Sequence, residues 1–365
     1  MTKPLRTPLA NWHAAHGGRI VDFAGWEMPI QYTSIVEEHT AVRERAGMFD
    51  VCHMGRILFT GPDAESFLDQ LLTNDVTKLR VGQVRYSLVC DRGGGVLDDV
   101  LVYRVDAGTW MLVVNASNRE KILAWIEHHM EGYTLSATDQ TADRFMFAIQ
   151  GPRALDILQR HTPLGLAAMK YYSIAPTEVA TCEALASRTG YTGEDGFEVI
   201  VPAAQAERVW TTVFESGQPD GLLPCGLGCR DTLRLEAAMP LYGHELDETI
   251  DPITAGLGFA VKLQAGLFIG RSALQAAKDR TDRPQRVGIE LAGKRIARQG
   301  AAVFVGDDLV GHVTSGTFSP TLQKSIAMAY IAAPHAMVGR ELEVDLRGKR
   351  EPARVVPLPF YLRSK

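Results

Sequence analysis

The chain has 365 residues, 46% hydrophobic, 22% charged and 8% aromatic, the composition of a folded globular protein rather than a disordered or fibrous one. Lys and Arg total 38 against 43 Asp and Glu, so the formal net charge is −5 and nothing global draws the chain to nucleic acid. Its longest apolar stretch, residues 326–333, falls far short of the roughly 20 residues that span a bilayer, so no membrane partner is expected.

In chain order, residues 1–19 lack the apolar core of a secretory signal. Residues 56–60 predict a strand, followed by Gly61-Pro62-Asp63-Ala64 and an apolar-spaced helix carrying Phe67, Leu68, Leu71 and Leu72. The pattern returns at residues 145–150, with Gly151-Pro152-Arg153-Ala154 and then Leu155, Ile157 and Leu158. In both copies Pro stands near a helix start, where its missing N–H costs little. Two such units imply related α+β halves in the first two-thirds of the chain. Between them, His128 and His129 are expected on an amphipathic helix with Trp125 and Ile126. The charged, Pro-containing run from Lys278 to Pro284 marks a boundary that divides residues 1–280 from residues 281–365. Beyond it, short alternating strands are expected at 287–291, 303–305, 342–346 and 354–356, with Arg347-Gly348-Lys349 as a turn. These predict a separate all-β barrel or sandwich.

Three segments have the make-up of functional sites. From Cys90 to Tyr103, three glycines form a turn that feeds a strand apolar on both faces except for Asp98 and Asp99. Adjacent strand residues point to opposite faces, so the two carboxylates cannot share a proton. Each must be paired, hydrogen-bonded or raised in pKa. One is expected to bond the glycine turn and the other to act as acid or base; the residues alone do not choose between them. From Arg188 to Val199, Gly190, Gly193 and Gly196 recur every third residue and suit a winding loop. The strand that follows places Glu198 opposite Phe197, Val199 and Val201. Glu198 is then either a solvated side chain on a glycine-rich hairpin or, with Tyr191, part of a pocket for a planar, donor-rich ring such as a pterin. From Cys225 to Glu236, glycines lead into a helix with Arg230 and Arg234 one turn apart. Arginine near a helix start opposes the usual dipole preference. Such an arginine commonly pairs structurally, here with Asp231 or Glu236.

Other chemistry is missing. There is no His-Glu-x-x-His, G-x-S-x-G, G-x-G-x-x-G or Walker A pattern, and the ten histidines lack ligand spacing. The five cysteines (Cys52, Cys90, Cys182, Cys225 and Cys229) include no C-x-x-C pair and are expected as reduced, buried thiols of a cytosolic or organelle-matrix protein. Cys225 and Cys229 are expected to be core thiols, and no metal is predicted.

Taken together, these segments resemble the glycine cleavage system T protein (aminomethyltransferase) family nearly end to end. The resemblance is carried by Val21-Asp22-Phe23-Ala24-Gly25-Trp26-Glu27-Met28-Pro29, Met48-Phe49-Asp50-Val51 with His53-Met54-Gly55, and Leu97-Asp98-Asp99. It continues through Arg188 to Glu198, Arg230 to Glu236, Leu241-Tyr242-Gly243 and Thr314 to Pro320. It implies three domains, two interleaved α+β domains and a C-terminal β domain, set as a cloverleaf around a central tetrahydrofolate channel. It implies Asp99 as the catalytic carboxylate and folate contacts at Met54, Tyr86, Asn115, Tyr191, Glu198 and Arg230. Tyr361 is a further C-terminal aromatic contact, and Arg298 matches a basic position near the family's site. The implied reaction moves an aminomethyl-derived one-carbon unit from the lipoyl arm of H protein to tetrahydrofolate, giving 5,10-methylenetetrahydrofolate, ammonia and the dihydrolipoyl arm. Location follows as cytoplasmic for a bacterial chain, or mitochondrial matrix for a mature eukaryotic one. The alternatives are a folate-dependent demethylase of a small methylated donor, which shares the fold, and a non-catalytic folate-binding iron–sulfur assembly factor. The Lys-Gly-Cys motif of the last branch is absent from this sequence. A folate glutamate tail and an acidic H protein would both need locally placed Arg and Lys, whatever the net charge.

Overall fold

Both Gly-Pro segments fold as strand, turn and helix. The computed structural model describes residues 3–363. In it, Gly55–Thr60 leads into a helix at Ala64–Leu71, and Arg144–Gln150 leads into one at Ala154–Gln159. The glycine between strand and helix has φ 118° at Gly61 and 122° at Gly151, so the two copies share a backbone conformation that residues with a Cβ rarely adopt.

The fold is mixed α+β, and the chain sorts into two compact units that interleave along the sequence. The first comprises residues up to 68, 76–86 and 100–231; the second comprises 69–75, 87–99 and the chain from 232 on.

In the first unit a six-stranded sheet has the order Ile174–Val179, Cys182–Ser187, Gly196–Pro202, Arg144–Gln150, Ala46–Asp50, Leu222–Pro224. Its centre is a near-continuous apolar run on each strand, as expected where both faces are covered. Phe145, Phe147, Phe197, Val199 and Val201 pack with Trp12, Val209, Trp210 and Val213 into one buried cluster. A second sheet of this unit pairs Gly55–Thr60 with Thr109–Val114 on one side and Ser136–Asp139 on the other. The expected helix over His128 and His129 is present at Arg119–His129.

In the second unit the C-terminal strands close into a six-stranded barrel. Gln285–Leu291, Ala302–Val305, Glu341–Asp345 and Arg350–Val356 overlap the four predicted strands. Two more, Asp308–Ser319 and Lys324–Ile331, were not legible from alternation. The first carries Thr314-Ser315-Gly316-Thr317 through its centre, and the second is apolar on both faces. Pairing identifies them as strands: with each other from Gly311 with Ile331 to Ser319 with Lys324, and with Ala302–Val305 and Gln285–Leu291 respectively.

The helix Leu227–Glu236 contributes Arg234 to this second unit. Arg234 donates to Glu245 at 2.9 Å and to Ser315 Oγ at 2.8 Å. Glu236 accepts from Ser319 Oγ at 2.5 Å and Thr321 Oγ1 at 2.8 Å. Both carboxylates are buried, and these bonds supply the partners a buried charge requires.

Candidate functional site

Glu198 is 7% exposed, which removes the solvated-hairpin alternative. Its strand pairs residue for residue with Arg144–Gln150 and, over Glu198–Ile200, with Leu185–Ser187, so the side chain projects from the middle of the sheet. Thr189 Oγ1 donates to Glu198 Oε2 at 2.5 Å, and Ser187 Oγ lies 2.8 Å from the same hydroxyl. Among the described residues no hydrogen bond reaches Glu198 Oε1. Burial raises the pKa of this carboxyl, against the opposing effects of the Thr189 hydroxyl and the Arg230 charge.

The preceding loop is fastened so that these positions are held. Gln150 Nε2 donates to Thr189 O at 3.0 Å, while its Oε1 accepts from Thr192 Oγ1 at 2.9 Å. A Cβ on Gly190 would lie 2.0 Å from Gln150 Oε1, so only glycine permits this approach. Arg43 donates to Thr192 O at 2.8 Å and to Glu194 at 3.0 Å.

Arg230 lies with its guanidinium carbon 4.9 Å from the centroid of the Tyr191 ring, a cation–π contact. Its charge interacts with Glu198, but the two make no contact ion pair among the described residues. An acceptor and a donor group therefore stand near each other with hydrogen-bonding capacity unspent. His53, 2% exposed, lies within electrostatic reach of Arg230. Burial and that neighbouring cation push the His53 pKa down to about 3, so the ring is neutral at physiological pH. Its buried Nδ1 has no hydrogen-bond partner, the kind of gap a bound ligand closes.

Tyr103, at the end of the Cys90–Tyr103 segment, and Tyr172, outside the segments singled out above, lie within electrostatic reach of Glu198: burial and the Glu198 charge raise the Tyr103 phenol, and burial, Tyr171 and Glu198 raise that of Tyr172. Tyr172 adopts φ 61°, a left-handed conformation costly for a bulky residue. Two main-chain bonds hold it there: its N–H donates to Arg188 O and its carbonyl accepts from Val84 N–H, both at 2.9 Å. Lys170-Tyr171-Tyr172-Ser173 contains neither Gly nor Asn, so the sequence carries no mark of that backbone state.

Of the other expected contacts in this unit, Met54 and Asn115 are neighbours in space. Gly55 pairs with Val114, and the two residues extend that ladder by one position on each strand. Both are half-buried. Tyr86, also half-buried, follows Val84 by two residues, so its strand runs beside Tyr172.

In the second unit, Asp98 is fully buried and Asp99 is partly accessible, as their opposite faces require. In the glycine turn, Gly95 N–H donates to Asp91 Oδ1 at 3.0 Å, and Gly94 N–H to Asp91 O at 3.1 Å. Tyr361 is half-buried and its N–H donates to Glu236 O at 2.8 Å. Arg298 is exposed and makes no side-chain hydrogen bond or ion pair among the described residues.

All five cysteines are buried free thiols. Ligand-capable atoms of Glu38, Cys225 and Cys229 lie within 4.8 Å of one another. However, Glu38 already accepts main-chain N–H bonds from Tyr32 at 2.6 Å, Thr33 at 3.1 Å and Gly226 at 2.8 Å. Burial raises the pKa of both thiols. The cluster has the chemistry of a hydrogen-bonded core.

Comparison with known proteins agrees with this geometry. Residues 9–265 match the GCVT N-terminal domain, and residues 285–361 match the glycine cleavage T-protein C-terminal barrel domain. An aminomethyltransferase of Geobacillus kaustophilus is 49% identical over 362 residues, covering 99% of each chain. One of Desulfitobacterium hafniense is 47% identical over 364 residues, covering 100% of each. The crystal structure of glycine cleavage system aminomethyltransferase T from Bartonella henselae superposes with a TM-score of 0.91 at 32% identity, covering 98% of each chain. No helix among the described residues is long and apolar enough to cross a membrane. The chain belongs to the glycine cleavage T-protein family of aminomethyltransferases.

Proposed function

We propose that this chain transfers the aminomethyl-derived one-carbon unit carried on the lipoyl arm of H protein to tetrahydrofolate, releasing ammonia and leaving the dihydrolipoyl arm. The observation that carries the reading is Glu198 with Oε1 unpartnered, near Arg230 held over Tyr191. A carboxylate of that kind takes two parallel N–H bonds from an amino-pyrimidinone edge, and an arginine supplies donors to its acceptors. The orphaned His53 Nδ1 adds a further polar contact for a bound ring. The residues present therefore fit a pterin.

Tetrahydrofolate supplies the nucleophilic nitrogen that takes up the one-carbon unit. Glu198 anchors the pyrimidine edge, with Thr189 holding one carboxylate oxygen in place. Met54, Tyr86, Asn115 and Tyr191 orient the ring system, with Tyr361 as a further contact. Asp99 positions the pterin and manages proton transfer, a role supported by the Leu97-Asp98-Asp99 motif and by the partial accessibility of Asp99. Arg298 offers an exposed cation to an anionic group. Much of the rate then comes from orienting two bulky reactants and excluding water.

The test is a coupled assay with lipoylated, aminomethyl-loaded H protein and tetrahydrofolate, following methylenetetrahydrofolate and ammonia together. Both products are expected. Tetrahydrofolate-dependent methyl uptake from a small donor, with no ammonia from H protein, would replace this reading with demethylation.

A further inference from the structure

The turn that carries His53 and Met54 is held between two buried charges, neither of which belongs to the binding set described above. On one side is Asp50, whose Oδ1 accepts the Cys52 N–H at 2.8 Å. Asp50 Oδ2 lies 2.8 Å from His13 Nε2, and Tyr32 Oη lies 2.7 Å from His13 Nδ1, so the carboxylate cannot swing away. On the other side is Arg56, 1% exposed. Its guanidinium donates to Cys52 O at 2.9 Å and to Met54 O, both in the turn. It also donates to Thr141 O at 2.5 Å and Arg144 O at 2.8 Å, in the segment that leads into the central strand Arg144–Gln150.

No carboxylate oxygen comes within ion-pairing distance of Arg56 among the described residues. Its charge is satisfied by four main-chain carbonyls, two of them in the turn. Two further turn amides are committed: Val51 N–H donates to Met146 O and Met54 N–H to Val51 O, each at 3.1 Å. The Cys52 amide at one side therefore points to an anion, and the carbonyls of Cys52 and Met54 at the other point to a cation. A buried arginine without a contact carboxylate is an expensive way to fill core volume, and an aliphatic residue would fill it more cheaply. The arrangement makes sense if the exact position of the turn matters.

We propose that Arg56, with Asp50 opposite, is a positioning residue of the tetrahydrofolate site, fixing residues 51–54 so that His53 and Met54 are presented to the ring near Arg230. The inference rests on the function proposed above.

Arg56→Lys tests it. Lysine keeps the charge, but its single nitrogen cannot span carbonyls 52 and 54 and carbonyls 141 and 144 at once. Tetrahydrofolate Kd is expected to rise about tenfold or more, since small misplacements of a binding group are costly. Amide hydrogen exchange at residues 52–54 should accelerate, while the KM for H protein stays unchanged. Faster exchange with a Kd within twofold of wild type would overturn the proposal, leaving Arg56 a purely structural residue. If Arg56→Lys does not fold, Asp50→Asn perturbs the other side of the same turn and is expected to raise Kd similarly; an unchanged Kd there overturns the proposal equally. Wild-type protein that fails to bind tetrahydrofolate would instead overturn the functional reading itself, and this inference with it.

Discussion

Replacing Glu198 with Gln separates what this carboxylate does for a ligand from what it costs the fold. Gln is nearly isosteric, and its amide must choose an orientation. If its oxygen accepts from Thr189, as Glu198 Oε2 does at 2.5 Å, then its NH₂ occupies the position of Oε1 and faces the N–H groups of the pterin. If the amide flips, the Thr189 hydroxyl loses its acceptor. Hydrogen bonds to a charged group contribute about 1.5–3 kcal/mol each. Losing the charge-assisted pair, with partial compensation, then costs about 3 kcal/mol, or roughly 100-fold in tetrahydrofolate Kd. Stability should move the other way. The Glu198 carboxyl is raised in pKa, so the folded state holds its proton more tightly than the unfolded chain does. Its stabilising effect is therefore complete only below the unfolded value of about 4.3 and fades as pH rises through the folded pKa. Gln escapes that penalty, so the variant should match or exceed wild type in Tm at pH 8 and lose the advantage near pH 4. Calorimetric titration with tetrahydrofolate and thermal melts across pH measure the two effects. Wild-type affinity in Glu198→Gln would refute the anchoring argument, and a lower Tm at pH 8 would refute the burial argument.

Asp99→Asn keeps shape but cannot accept a proton, so turnover should fall about 10²- to 10⁴-fold with tetrahydrofolate Kd nearly unchanged; wild-type turnover would show the role to be misassigned. Arg234→Met leaves Glu245 buried without its cation, a loss of about 3–5 kcal/mol by denaturant unfolding. Removing both partners as Arg234→Met with Glu245→Leu should recover much of that, and a single-variant cost below about 1 kcal/mol would contradict the buried-pair account. Asp50 is held below the usual carboxylate range by its His13 hydrogen bond and charge, which outweigh burial. The stability it contributes is present above the unfolded value of about 3.9 and is lost as pH falls through the folded pKa. Asp50→Asn should therefore flatten the acid limb of the Tm–pH curve, and an identical slope in wild type and variant would count against it.

Much of this protein is written locally. The paired Gly-Pro turns need only short-range sterics, which is why Gly61 and Gly151 reach the same φ from sequences that otherwise differ. Alternating strands near 287, 303, 342 and 354 declare themselves because one face of each meets the barrel core. The ordered motifs, among them Leu97-Asp98-Asp99 and the Arg188–Glu198 loop, were enough to reveal the family.

What the sequence could not decide depended on partners far away along the chain. Ser315 to Thr317 form a strand because Met328, Ala327 and Ile326, 13, 11 and 9 positions on, pair with them, which composition does not encode. Arg234 pairs with Glu245, eleven positions on, because a loop brings Glu245 to it, while Ser319 and Thr321 bond Glu236. Asp98 and Asp99 are chemically identical in sequence, and only burial distinguishes them. Likewise, Glu198 is a polar residue in an alternating strand until Thr189, Arg230 and two distant tyrosines surround it. Solvation and electrostatics of a side chain are set by everything folded around it, and those neighbours come together only in the tertiary structure.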